Sequence, residues 1–345
     1  MASIERITIN GWTAFEYVSV HAAFNEAARS FTATLAAELG ASTVNSIFDV
    51  GTEVTISTNG ELLVTGHIDT KEPRFSARQA EITITGRSKS GDLVDGAAEH
   101  DTGYFENKDP LEIAQEISKE YGAKWESDQK LEKIEQYKLQ QGETCYRCIE
   151  KMARQQGMTI TGTKEGNAKI TKAGNQRQGG SLIEGVNILI GSANHNAKNR
   201  HSKIIVRGQR PFGHGDENLE IEAEEQDSAV KRHKTVIIVQ DEDTDKYRAK
   251  KRAKNRKDRA AGNSLKATIT VQGFHDDGGQ LWEPGNLVWT ESEFLDIAQD
   301  MLIESVDYEQ SERGSLCTLN LVDPRAYGGQ GGGSGNKSGG SWDMG

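Results

Sequence analysis

From Ile4 to about Ala98 the chain alternates apolar and polar positions in short runs, the period of a half-buried antiparallel strand. Ile4 to Ile9, Phe15 to His21, Ser30 to Leu39, Thr52 to Thr58, Leu62 to Thr70 and Gln79 to Gly86 read as strands. In the last of these Ile82 and Ile84 alternate with Thr83 and Thr85, giving one apolar face and one hydroxylated face. Asn59-Gly60 sits between two runs, and both residues accept the positive φ that a two-residue hairpin needs. Around Pro73 a longer connection is expected. Beyond Gly86, Arg87, Ser88 and Lys89 carry charge out of the sheet, and Asp92 to Asp95 starts a turn with Leu93 and Val94 facing inward. Short strands at this spacing predict a small antiparallel barrel or sandwich.

After Glu99 the period changes. Asp109-Pro110 predicts a helix running to Tyr121, with Asp109 as N-cap, Pro110 in the first turn, and Leu111, Ile113, Ala114 and Ile117 on its apolar face before Gly122. A second helix spans Thr144 to Gln156, and a strand pair, Met158 to Gly162 and Ala168 to Thr171, turns at Gly166-Asn167. Gly174 to Gly180 reads as a link. Strands return at Lys203 to Gly208, Leu219 to Ala223, Thr235 to Gln240, Leu265 to Gly273, Leu287 to Thr290, Leu302 to Gln310 and Ser315 to Val322. The runs ending at Gly208 and Gly273 echo the strand ending at Gly86, which permits a second barrel of the same kind.

The expected division is a first β-barrel domain over 1–98, an α+β insertion over 99–175, a second barrel over 176–327 with a basic helix at 245–261, and a flexible tail over 328–345. That tail holds nine glycines and cannot repay its ordering entropy. Trp342 within it reads either as an anchor for a partner or as an exposed residue without consequence.

At 345 residues the chain can hold two or three cores. Its 35% hydrophobic content and mean hydropathy of −0.65 are low for a compact globule, which suggests polar sheet faces that meet partners or water. No apolar run approaches the ~20 residues of a membrane helix, and the N-terminus lacks a signal-peptide core, so a soluble protein without a membrane partner, kept in the cytoplasm at least until assembly, is expected. Cys145, Cys148 and Cys317 are too few and odd in number for a disulfide framework. A formal charge of −11 disfavours nonspecific DNA binding by the whole surface.

Candidate chemistry is sparse, and neither a cofactor nor a catalytic residue is expected. Cys145 and Cys148 have the spacing of a redox or zinc pair, but no second pair or clustered histidines follow. The run from Gly142 to Gly157 looks superficially like a lysin-motif sugar-binding module, which would make a peptidoglycan-binding or cell-wall-degrading protein the alternative function; that module continues with a second helix, whereas a hairpin is predicted here. Asp241, Asp243 and Asp245 alternate as in a calcium loop, yet Lys246 and Arg252 stand where the loop needs Gly and Glu. The helix from Asp245 to Ala261 carries nine Lys or Arg, including Lys250, Arg252 and Lys254, against Asp258. It reads as a solvated face, as a dock for an acidic neighbour such as the Glu217 to Asp227 run of another subunit or the tube, or as a nucleic-acid contact.

Two blocks carry a family resemblance. Gly66-His67-Ile68-Asp69 is followed by Ile82 to Lys89 and by Asp92-Leu93-Val94-Asp95, and Gly279-Gln280-Leu281-Trp282-Glu283-Pro284-Gly285-Asn286-Leu287-Val288 follows near the C-terminal end. In this order they resemble the baseplate hub proteins of phage Mu and related contractile tails, over residues 3 to 327. The resemblance implies a mainly β fold with two related small barrels flanking the α+β insertion. It implies a structural, non-enzymatic homotrimer: a pseudo-sixfold ring in the virion baseplate, joining the hexameric tail tube or a tube initiator to the trimeric spike and touching other baseplate proteins. DNA would only pass through its lumen, which an acidic lining suits. Arg87, Lys89, Asp92 and Trp282 match the blocks and, with Lys250, Arg252, Lys254 and Trp342, are the candidate interface residues.

Overall fold

The structure, a computed structural model, describes residues 5–37, 47–77, 79–174, 176–208, 221–240 and 246–329. The first segment contains β1 (Ile7–Ile9), β2 (Tyr17–Ala23), β3 (Ser30–Ala37), β4 (Glu53–Thr58), β5 (Glu61–Phe75) and β6 (Ala80–Ser88). The insertion follows with α1 (Gly91–Asp95), β7 (Tyr104–Lys108), α2 (Pro110–Ile117), β8 (Trp125–Ser127), β9 (Ile134–Lys138), α3 (Cys145–Gln155), β10 (Thr159–Gly162) and β11 (Ala168–Thr171). The remainder holds β12 (Arg177–Ile183), β13 (Ile190–His195), β14 (Lys203–Gly208), β15 (Ile221–Gln226), β16 (Thr235–Gln240), α4 (Lys246–Gly262), β17 (Leu265–Gln272), β18 (Leu287–Ser292), β19 (Ile297–Ser311), β20 (Gly314–Val322) and a short 3₁₀ turn, Pro324–Tyr327. The fold is mainly β with an α+β insertion. Among the described residues no helix is long and apolar enough to cross a membrane.

Among the described residues twelve strands form one sheet made of two six-stranded units whose strands pair in the same order, the last pair being antiparallel in the first unit and parallel in the second. In the first unit β2 pairs β3, β3 pairs β6, β6 pairs β5, β5 pairs β4 and β4 pairs β1. In the second, β13, β17, β20, β19, β18 and β12 pair in that same succession. Finer details agree. The 15-residue β5 and the 15-residue β19 each carry a bulge at one register point, between Ile68 and Thr70 and between Ile303 and Ser305. The Gly51 N–H donates to the Ile68 carbonyl at 2.8 Å, and the Gly285 N–H donates to the Ile303 carbonyl at 2.8 Å. Both glycines have left-handed φ, +83° and +90°, where a side chain is strained. The units join where the far half of β19 pairs antiparallel with β2, Asp307 opposite His21 and Tyr308 opposite Val20. One buried apolar cluster runs through both units, from Ile7 and Val20 to Tyr308 and Leu319.

The insertion has its own core. Leu93, Ile113, Ile117, Trp125, Ile149, Met152, Ile160 and Ile170 pack together beneath α2 and α3. Asp109 caps α2 through a capping box with Glu112, and Thr144 caps α3 by accepting from the Arg147 N–H. A third small core joins Ala249 and Ala253 of α4 to Ile204, Val206, Ile221 and Ala223 of the β14–β15–β16 sheet.

Several expectations need correction. The connection expected at Pro73 is strand: β5 runs through it to Phe75, with Pro73 opposite Ile82. Beyond Ile68, β5 pairs β6 and, among the described residues, no strand on its other side. Proline is tolerated on such an edge. The first long helix stops at Ile117, where the Ser118 hydroxyl donates back to the Ala114 carbonyl. The Gly174 to Gly180 link is largely β12, parallel to β18, and β13 was not foreseen. The echo of the strand ending at Gly86 pointed to β14 and β17, whereas the true counterpart of β6 is β20.

Candidate functional site

The candidate residues fall into separate places. Arg87, in β6, donates from Nε to Asp69 at 2.9 Å and from Nη2 to Asp95 at 2.7 Å, tying the β5 bulge to α1. Its hydrogen bonds to Asp95 and Asp69 raise its own affinity for the proton, and the Arg87 hydrogen bond holds Asp95 below the usual carboxylate range. Lys89 pairs with Glu53 at 2.6 Å. Asp92 lies in the first turn of α1, and its carbonyl accepts from the Gly96 N–H. Trp282 is a core residue whose carbonyl accepts from the Tyr308 hydroxyl. These four residues hold turns and core in this chain. Lys250, Arg252 and Lys254 stand exposed on α4. Lys250 and Lys254 line a groove of about 670 Å³ with Tyr247, Arg325 and Gly329.

The acidic run that could have met this helix in another copy is engaged inside its own chain. Glu222 pairs with Arg207, Glu224 with Lys203, Glu225 with Lys257 and Asp227 with Arg200. The stretch 217–220, the three aspartates 241, 243 and 245, Trp342 and the tail beyond 329 lie outside the described residues.

Sequence reasoning missed the node that binds the three parts of the molecule. Arg29, between β2 and β3, is buried, with 5% of its side chain exposed. It donates from Nε to the Gly162 carbonyl of the insertion at 3.2 Å, from Nη1 to the Leu63 carbonyl of the first unit at 2.9 Å, and from Nη2 to Glu283 of the second unit at 2.7 Å. Lys164 of the insertion reaches the same carboxylate at 3.2 Å. Burial alone pushes Glu283 up, but Arg29 and Lys164 outweigh it and hold the carboxyl below its ordinary range. Glu283 stands in the second family block, which was the available signal; no pattern around Arg29 marked it.

Also unforeseen are two sheet edges, open among the described residues, that bear exposed apolar side chains. Phe75, at the far end of β5, is 82% exposed. Leu189 and Ile190, at the start of β13, are 55% and 67% exposed, with Val186 and Phe294 also exposed. Such edges invite pairing with another chain.

The cysteines are free and buried. Desolvation raises the Cys145 thiol to about 12 and the Cys148 thiol to about 11, the opposite of the lowered thiol a redox pair needs. No cluster of three metal-ligating side chains occurs among the described residues. After α3 comes the β10–β11 hairpin, not the second helix of a lysin motif.

Comparison with known proteins gives matches in chain order. Residues 4–88 match the N-terminal domain described as Mu phage baseplate assembly protein GpP-like, residues 90–172 the second domain of baseplate hub protein gp44-like proteins, and residues 245–329 the fourth domain of Mu phage baseplate assembly protein GpP. The chain belongs to this family of Mu-like baseplate hub proteins. It is 26% identical over 288 residues to the baseplate hub protein gp44 of Escherichia phage Mu, across 80% of this chain and 76% of that one. The 43 kDa tail protein of prophage MuSo2 from Shewanella oneidensis matches with a TM-score of 0.82 and 26% identity, over 94% of this chain and 99% of that one. The fold is shared with the E. coli c3393 protein, a component of the type VI secretion system described as similar to T4 tail proteins gp27 and gp5 (TM-score 0.56, 10% identity, 95% and 80% covered). As a member of the hub family the chain is a structural part of a phage tail baseplate.

Proposed function

We propose that three copies of this hub protein form a ring of pseudo-sixfold symmetry, one face meeting the hexameric tail tube or its initiator and the other seating the trimeric spike. The observation that carries this is the internal duplication: two units with the same order of strand pairing, a shared bulge and a shared glycine contact give each chain two similar modules, so three chains offer six. Threefold matching to sixfold then needs no further subunit. The likeness to a protein related to gp27 and gp5 supports the seating of a spike. The role is mechanical: the Arg29–Glu283 node fixes the insertion and both units as one body that can pass load between tube and spike.

Light scattering of the purified chain, alone and co-expressed with the spike protein, tests the reading. A mass about three times 37.8 kDa in either condition is expected. A monomer in both removes the symmetry argument, and binding to insoluble peptidoglycan then becomes the next measurement.

A further inference from the structure

Ala249 and Ala253 seat α4 against the β14–β15–β16 sheet, so the cations of the helix occupy the rest of its circumference. Tyr247, Lys250, Lys251 and Lys254 fall at i, i+3, i+4 and i+7, which puts them on one face, turned away from the two alanines. That face lines the groove of about 670 Å³ together with Arg325, Gly328 and Gly329. Two carboxylates also line it, Glu225 and Asp258. Glu225 is taken by Lys257 at 2.9 Å, and Arg325 is held by Asp323 at 2.7 Å. Among the described residues Lys250, Lys251 and Lys254 have no carboxylate partner. All three are exposed, and the Tyr247 ring beside them is 76% exposed.

We propose that this groove binds a single-stranded nucleic acid, with its phosphates on Lys250, Lys251 and Lys254 and a base stacked on Tyr247. Unpaired cations in a row call for a polyanion, and the shape and the ring select among polyanions. A cleft of this volume admits one extended strand and is too small for a duplex. Cations that track a backbone beside an aromatic face that stacks a base are the combination by which single strands are held without regard to sequence. An acidic protein surface would meet the lysines but has no use for the ring. The net charge of −11 belongs to the whole chain, whereas phosphate binding is set by the cations within reach of the strand. The proposal goes beyond the ring described above and does not rest on it, because every lining residue belongs to one chain.

The helix carries its own control. Arg252, Arg256 and Arg259 recur at i, i+4 and i+7 on the other flank of α4, exposed and outside the groove. Removing charge there lowers the general attraction of the helix for anions and leaves the groove intact.

The test is fluorescence anisotropy of the full chain with a labelled thymidine oligonucleotide of about ten nucleotides, within the length such sites cover. Three phosphate contacts on a single strand give a log–log salt slope of about −2, so affinity should fall roughly twentyfold between ~50 and ~200 mM salt. Tyr247→Ala changes no charge and should weaken binding about fivefold or more, the loss of one stacked base. Lys250→Gln/Lys254→Gln should bring the slope to about −0.7, whereas Arg252→Gln/Arg256→Gln, an equal loss of charge, should leave it near about −2. All five substituted side chains are exposed, so the variants keep the fold, which circular dichroism checks. Absence of binding at low salt, an unchanged affinity for Tyr247→Ala, or equal losses from the two double variants overturns the proposal. A glutamate oligomer of the same charge binding as tightly also overturns it and makes α4 a dock for an acidic protein. Tighter binding of a duplex of the same length overturns it too, by moving the contact from the groove to the outer surface of the helix.

Discussion

Replacing Arg29 with methionine tests whether the three parts of the molecule are held by the buried node. The substitution keeps most of the aliphatic volume but removes three donor contacts, leaving the Gly162 and Leu63 carbonyls unpaired and Glu283 with Lys164 as its remaining cation. Removing one partner of a buried ion pair costs about 3–5 kcal/mol, chiefly because the other charge stays buried. Lys164→Met should cost under about 1 kcal/mol, since its side chain is 35% exposed and solvent screens the pair. The double variant Arg29→Met/Glu283→Gln should cost less than the two single changes added together, by more than about 1 kcal/mol, because neither charge is then stranded. Urea unfolding, followed by tryptophan fluorescence and circular dichroism, reads all of these. The acid limb gives a second readout. Glu283 titrates below its unfolded value, so its contribution is present above the ordinary carboxylate range and is lost as pH falls through the lowered folded value. Without Arg29 that loss should begin at higher pH. A cost below about 1 kcal/mol for Arg29→Met, or strict additivity in the double variant, would refute the reasoning.

Other consequences follow from single contacts. The equivalent glycines 51 and 285 should respond unequally to alanine. A Cβ at Gly51 meets nothing within 4 Å, so only the left-handed penalty of about 1 kcal/mol applies. At Gly285 the Cβ would lie 2.6 Å from the Phe24 ring, and the urea midpoint should fall at least twice as far; equal shifts would contradict the contact. The His21–Asp307 hydrogen bond raises the histidine, so its stabilisation of the unit junction is full below the ordinary histidine range and fades as pH rises through the raised folded value. His21→Gln should flatten that part of the stability profile, and an unchanged profile would show that the pair does not titrate. Gly86→Ala would place a Cβ 2.1 Å from the His67 carbonyl oxygen and 2.5 Å from the Phe31 ring, costing about 1–3 kcal/mol or more. Phe31→Ala should fail to rescue it, because the carbonyl remains; a double variant more stable than Phe31→Ala alone would locate the strain in the ring instead.

Strands with strict alternation were legible, as in Glu53 to Ser57 and Ile82 to Thr85, because each buries one face and shows the other. Asn59-Gly60 gave the β4–β5 hairpin for a local reason, its two positive φ angles of 48° and 86°. Helix starts at Asp109 and Thr144 were legible from capping chemistry. What failed was decided by distant partners. Gly174 to Gly180 looks like a linker because its glycines carry no period, and from Arg177 on it becomes strand by pairing with β18 more than a hundred residues later. Ile190 to His195 lacks alternation because, as an edge, it is exposed on nearly every residue. The candidate interface residues were chosen from motifs. Arg87, Lys89 and Trp282 stand out in sequence because the fold needs them, whereas Phe75 and Ile190 carry no motif and become notable only as exposed apolar groups on open edges.

The duplication shows why sequence comparison within the chain could not find it. At one equivalent rung the first unit pairs Phe31 with Gly86, and the second pairs Ala267 with Leu321. Three of these residues are buried apolar side chains, and the bulky member has changed strands. A close-packed interior constrains the summed volume of a rung more tightly than the identity of either member. Each strand can then drift while its partner compensates, so residue identity decays at a position whose geometry is kept. The bulge in β5 and β19 and the left-handed glycine before β4 and β18 escape this exchange, because no partner side chain can supply a backbone conformation. Backbone conformation and the order of strand pairing therefore preserve the kinship of the two units after their side chains have diverged.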